Sequence, residues 1–205
     1  MVNKFSAPER DGQRFCVTEQ SGQDFYTMVK GGNMTIEEAL NTAIEFETRV
    51  RSVYEEALKD ETDPSARRTL EVLAREEGYH LEYLKKRKEE WLANGHISIE
   101  RLETSVPSPD LIARGVKTLR ERLAGKRKDP NRSHVLLLQR AQKVEEETSA
   151  FYRRLVGQLE GTANTMFERF LEIEDGHLAL VSAELDTVQG LGFWFDVQEF
   201  DLEAG

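Results

Sequence analysis

Two short strings in this chain have the residue types and spacing to do chemistry: Glu77-Gly78-Tyr79-His80 and Glu174-Asp175-Gly176-His177. Each reads Glu-x-x-His. On a helix that spacing stacks a carboxylate and an imidazole on one face, a turn apart. Such a pair suits a divalent transition metal. A single match would carry little weight, because charged helices bring Glu and His together by accident. Here the pattern occurs twice, and it takes up two of the four histidines in the chain.

The elements that must position these pairs read as helices. Thr35-Ile36-Glu37-Glu38 has the form of a capping box, preceded by the breakers Gly31 and Gly32. From there Ile36, Leu40, Ala43, Glu47, Val50, Tyr54 and Ala57 recur at steps of four and three, the seam of a bundle helix. Asp63-Pro64 opens a second helix, with the seam Ala66, Leu70, Leu73, Glu77, His80, Leu84, Arg87 and Trp91 and a stop at Asn94-Gly95. Residues 96–129 form a long crossover, within which Ser108-Pro109-Asp110 caps a short helix running toward Gly125. Asp129-Pro130 opens the third bundle helix, with the seam His134, Leu138, Ala141, Glu145, Thr148, Tyr152, Leu155 and Leu159. After Gly161-Thr162 the fourth seam is Phe167, Phe170, Glu174, His177, Val181 and Leu185, with Gly190 as its stop. The expected fold is therefore all-α. A four-helix bundle spans residues 34–190, behind an N-terminal arm of residues 1–33 and ahead of an aromatic C-terminal tail of residues 191–205. That tail, with Phe193, Trp194 and Phe195, could fold back on the bundle or cover a partner subunit.

Helices one and three superpose in sequence without a gap. Ala43 to Glu47 matches Ala141 to Glu145, and a tyrosine follows each glutamate seven residues on, at Tyr54 and Tyr152. The chain is thus a doubled helix pair, and a pseudo-twofold axis would bring both Glu-x-x-His pairs to one depth. Six groups then converge: Glu47, Glu77, His80, Glu145, Glu174 and His177. Burying an isolated carboxylate costs several kcal/mol even after relaxation, and four facing one another also repel. Two divalent cations would neutralise four carboxylates. A lone seam glutamate or core histidine needs no more than register or a hydrogen bond, but that does not account for six at equivalent positions. In the third helix Glu146 and Glu147 flank Glu145, and the ligand choice among them stays open. Tyr54 and Tyr152 could be simple core residues or could support a carboxylate across the bundle. His96 and His134 fall outside the motifs. The runs Lys85 to Lys88 and Lys126 to Lys128 read as solvated faces, and Cys16 as a small apolar residue.

With these residues in place, positions 36–190 resemble the rubrerythrin and ferritin-like family. The resemblance rests on Glu47 with Tyr54, Glu77-x-x-His80, Glu145 with Tyr152, and Glu174-x-x-His177. It implies a ferritin-like four-helix bundle binding two iron ions (manganese being possible), often as a homodimer. It further implies an enzyme that reduces hydrogen peroxide or, alternatively, a ferroxidase or storage protein using dioxygen. In that reading Glu77 and Glu174 bridge, Glu47 and Glu145 are terminal or semi-bridging, and each histidine serves one metal. The chain also departs from the pattern. One cysteine cannot build a rubredoxin domain, so electrons would come from a separate donor protein. Thr148 stands where such proteins carry a further glutamate, for which Glu147 could substitute. Gly78 after Glu77 replaces the methionine that holds haem in bacterioferritin, so no haem is expected. A regulatory or cargo protein with a structural metal is the remaining reading.

Composition bounds these readings. At 205 residues the chain can bury one good core. A formal net charge of −10 argues against nucleic acid or an anionic membrane as main partner. No apolar run approaches the roughly 20 residues of a membrane span, and the first residues lack the apolar stretch of a signal peptide. The expected compartment is the cytoplasm.

Overall fold

The structure, a computed structural model, describes residues 34–122 and 132–189. Among them are five helices and no strand: α1 (Ile36–Asp60), α2 (Pro64–Asn94), α3 (Pro109–Arg122), α4 (Arg132–Val156) and α5 (Gly161–Val188). This is the all-helical arrangement expected of a ferritin-like bundle. The arm with Cys16, the Gly125 stop, the Lys126 to Lys128 run, the Asp129-Pro130 cap, Gly190 and the aromatic tail lie outside the described residues. No helix among the described residues is long and apolar enough to cross a membrane.

The helix boundaries follow from local chemistry. Thr35 and Glu38 close the capping box, the Thr35 N–H donating to Glu38 Oε2 at 2.8 Å and the Glu38 N–H to Thr35 Oγ1 at 3.2 Å. A cap of this kind is worth about 1 kcal/mol. Asp63 Oδ1 accepts from the Ala66 N–H at 3.3 Å, with Pro64 at the first helical position where no donor is needed. Gly95 (φ 68°) ends α2 and Gly161 (φ 62°) begins α5, each in the left-handed region that glycine enters freely.

The principal helix contacts pair α1 with α2 and α4 with α5, and α1 with α4 joins the two pairs. The seams face inward, with Ala39 and Val53 added to that of α1, while Ile36, Trp91 and Leu159 at the seam ends are only partly buried. The apolar interior divides in two. One layer holds Val50, Leu70, Leu73, Leu138 and Val181; the other holds Leu40, Leu84, Phe151, Phe167 and Phe170. Between them lies a belt of buried polar side chains.

The crossover is strapped to the bundle, and this corrects one expectation. Arg87, which falls on the inward seam of α2 and also inside the lysine-rich run that reads as a solvated face, is fully buried, as the seam position requires. Its guanidinium donates to the Ser98 carbonyl (2.8 Å), the Ser98 hydroxyl and Glu100 Oε2 (3.1 Å), and pairs with Glu90 (3.0 Å). It also lies 4.9 Å from the centroid of the Tyr83 ring. A cation on the inward seam is tolerated here because the strap brings carbonyl and carboxylate oxygens to it. Lys85 and Lys86, in contrast, are exposed. Farther on, Arg169 of α5 holds the Leu102 carbonyl at 3.0 Å, and α3 packs against α5.

Candidate metal centre

Glu47 on α1, Glu77 and His80 on α2, Glu145 on α4, and Glu174 and His177 on α5 all have 0% exposure. Each sits mid-helix, between the two apolar layers. The tightest group is Glu77, His80, Glu174 and His177, whose candidate ligand atoms all lie within 4.8 Å of one another. His80 Nδ1 is 3.1 Å from Glu47 Oε2, 3.1 Å from Glu77 Oε2 and 3.2 Å from Glu174 Oε1. His177 Nδ1 is 2.9 Å from Glu77 Oε1 and 3.8 Å from Glu174 Oε2. The two imidazoles stack, centroids 5.3 Å apart and planes 8° from parallel, so their Nδ1 atoms address the same carboxylates.

The remaining glutamates are held by the two tyrosines, crosswise. Tyr54 of α1 donates to Glu145 Oε1 of α4, and Tyr152 of α4 donates to Glu47 Oε1 of α1. The third-helix alternatives are resolved by burial. Glu146 is exposed, and Glu147 sits at the surface paired with Arg49 at 2.7 Å. Glu147 therefore cannot supply the further glutamate that Thr148 lacks. Thr148 is buried and donates its hydroxyl to the Val144 carbonyl at 2.9 Å. Glu45, near Glu47, is exposed. His96 is exposed as well, while His134 is buried beside Glu61 (3.1 Å), about three turns from Glu145 along α4.

The cluster is electrostatically incomplete by itself. Burial pushes Glu77, Glu145 and Glu174 up, and the charges of their neighbours add to it: Glu47 for Glu77, Glu174 and Glu77 for Glu145, Glu47 and Glu77 for Glu174, which reaches about 7. Burial opposes charge on His80 too, but Glu77, Glu174 and Glu47 outweigh it and raise its pKa well above the ordinary imidazole value. Burial also raises both tyrosines, with Glu145 acting on Tyr54 and Glu47 on Tyr152, so they remain neutral donors.

The donor atoms fit a divalent metal. Three carboxylate oxygens crowd His80 Nδ1, whereas one N–H can serve only one of them well. Glu77 Oε1, Glu145 Oε2, both Glu174 oxygens and both His177 nitrogens have no well-aligned hydrogen-bond partner. Buried polar atoms are rarely left this way. Oxygen and imidazole donors of this kind are what first-row divalent metals take.

Residues 13–88 match the family model for rubrerythrin. The matched span reaches Lys88 in α2 and so includes Glu47, Tyr54, Glu77 and His80, half of the centre. With the all-helical fold and the buried Glu/His cluster, it supports a di-metal site of the rubrerythrin and ferritin-like kind, and an oxidoreductase in general. No curated protein and no solved structure matches the chain.

Two features escaped the sequence reading. Glu76 is buried beside the motif, its Oε1 accepting from the Ser105 N–H (3.2 Å) and hydroxyl (2.7 Å) of the strap. Pro107, also in the strap, places its carbonyl oxygen 3.2 Å from where a Cβ on Gly176 would sit. Nothing in a helix so rich in charge distinguishes Glu76 from its exposed neighbours. Only the serine and threonine content of residues 104–105 hinted at a polar contact.

Proposed function

We propose that this chain is a non-haem di-iron oxidoreductase of the rubrerythrin type, reducing hydrogen peroxide with electrons from a separate donor protein. The observation that carries the reading is the buried set of four carboxylates and two imidazoles, with ligand atoms left without hydrogen-bond partners. Glu47, Glu77, His80, Glu145, Glu174 and His177 would hold the metals, with Glu77 and Glu174 between them. Two ferrous ions bound there would supply one electron each, enough with two protons to take hydrogen peroxide to two waters.

The chain's own residues prepare the site. Tyr152 and Tyr54 each fix one oxygen of Glu47 and Glu145, leaving the second oxygen of each for the centre. Phe151, Tyr152, Phe167 and Phe170 wall one side with apolar surface, which limits water. Rapid mixing of the ferrous protein with peroxide or dioxygen tests the proposal. Oxidation much faster with peroxide supports it. Faster reaction with dioxygen and mineral growth beyond two irons per chain would replace it by the ferroxidase and storage reading, and no redox response to either would leave a structural metal. Metal analysis with an anomalous scattering edge separates iron from manganese.

A further inference from the structure

The centre is a doubled motif, yet its two halves differ at one position. The residue before Glu77 is Glu76; the residue before the equivalent Glu174 is Ile173, buried and apolar. Two neighbouring points of the strap locate Glu76. Ser105 binds its Oε1, and two residues later Pro107 packs on Gly176, the residue before His177. Glu76 on α2 and His177 on α5 are therefore held under the same few residues of strap. Each presents a buried atom with no hydrogen-bond partner, Glu76 Oε2 and His177 Nε2. His177 Nδ1 faces Glu77 and Glu174, so Nε2 is on the ring edge turned away from the centre.

Building on the metal-site reading, we infer that Glu76 is a positioning residue for His177. Its Oε2 accepts the Nε2–H when Nδ1 ligates a metal, which makes the two metal positions inequivalent. Ser105 already holds Glu76 Oε1 through its N–H and its hydroxyl, so Oε2 is the carboxylate oxygen left to accept. His80 has no such support: its ring meets the Phe170 ring edge-on at 5.4 Å, and its Nε2 is likewise without a partner. A carboxylate behind a ligating imidazole fixes its tautomer and raises its basicity, and losing one typically weakens metal binding about 10- to 100-fold.

The test is titration of the metal-free full chain with Co2+ or Zn2+ against a chelating indicator. The parent is expected to bind two ions in unequal steps. Glu76→Gln, which keeps the shape and an oxygen for Ser105, should weaken one step about 10- to 100-fold and leave the other in place. His177→Ala should abolish the step that Glu76→Gln weakens, and His80→Ala the other. A parent that binds no divalent ion would overturn the metal-site reading itself. A parent that binds two ions, with Glu76→Gln unchanged in both steps, would overturn only the role of Glu76. If Glu76→Gln does not fold, nitrogen-15 spectra of the Zn2+-loaded parent decide. A slowly exchanging, strongly deshielded Nε2–H on His177 alone supports the pairing, and indistinguishable His177 and His80 signals overturn it.

Discussion

Replacing Glu174 by glutamine should make the metal-free protein more stable and the metal-loaded protein less so. Glu174 is completely buried, and burial together with the charges of Glu47 and Glu77 raises its carboxyl from 4.5 to about 7. The folded state therefore binds this proton more tightly than the unfolded chain. The linked stability is fully present below about pH 4.5 and drains away as pH rises to about 7. Above that, keeping the carboxylate ionised in the fold costs about 3 kcal/mol. Glu174→Gln removes the charge and keeps the shape, so at pH 8 in chelator it should gain about 3 kcal/mol, roughly 6 to 12 °C in melting temperature for a chain of this size. At pH 5 the parent already holds the proton, and the gain should shrink to about 1 kcal/mol. Saturating Mn2+ or Zn2+ should reverse the order, since binding at 1,000 times the dissociation constant stabilises the parent by about 4.1 kcal/mol per site, more than the variant gains in chelator, and the variant lacks one of the carboxylates proposed to hold the metal. Thermal denaturation at both pH values, with chelator and with metal, reads all four combinations. A variant no more stable than the parent in chelator at pH 8, or a gain equal at pH 5 and pH 8, would refute the electrostatic reasoning.

Other expected outcomes follow from the same geometry. Alanine at both Glu77 and Glu174 should leave the purified protein with little bound iron or manganese, measured by elemental analysis; metal content equal to the parent's would rule out the centre. Tyr54→Phe removes the hydroxyl that donates to Glu145 and should weaken metal binding about tenfold in chelator competition, with the helical circular dichroism unchanged. Gly176→Ala sets a Cβ 3.2 Å from the Pro107 carbonyl oxygen. Because that neighbour is backbone, the strap must shift, and urea denaturation should show a loss of about 1 to 3 kcal/mol.

Much of the centre could be read from the chain because a ligand set on helices is periodic. Glu47 and Glu145 stand out as charges on otherwise apolar seams, each seven residues before a tyrosine, but it took burial to separate Glu145 from Glu146 and Glu147. Arg87 occupies the same kind of seam position, but the surrounding lysines gave it a second, conflicting reading as part of a solvated face. What satisfies it, the Ser98 carbonyl and Glu100, comes from a strap with no helical period to betray its path. Glu76 was hidden for the same reason, since its partner Ser105 lies 29 residues away in irregular chain.

The sequence by itself determined the helices, their inward faces and the six groups that share one depth, because the 3.6-residue period and the doubled pattern act locally. Only the tertiary structure decided that the tyrosines bind crosswise, each to the glutamate of the other half. It alone decided that Thr148 spends its hydroxyl on its own helix, and that Glu76 and His177 lie under one stretch of strap. Those outcomes depend on how helices far apart in sequence pack and on where an aperiodic crossover lies. The free energies that set them act between distant segments and leave no regular mark on either one.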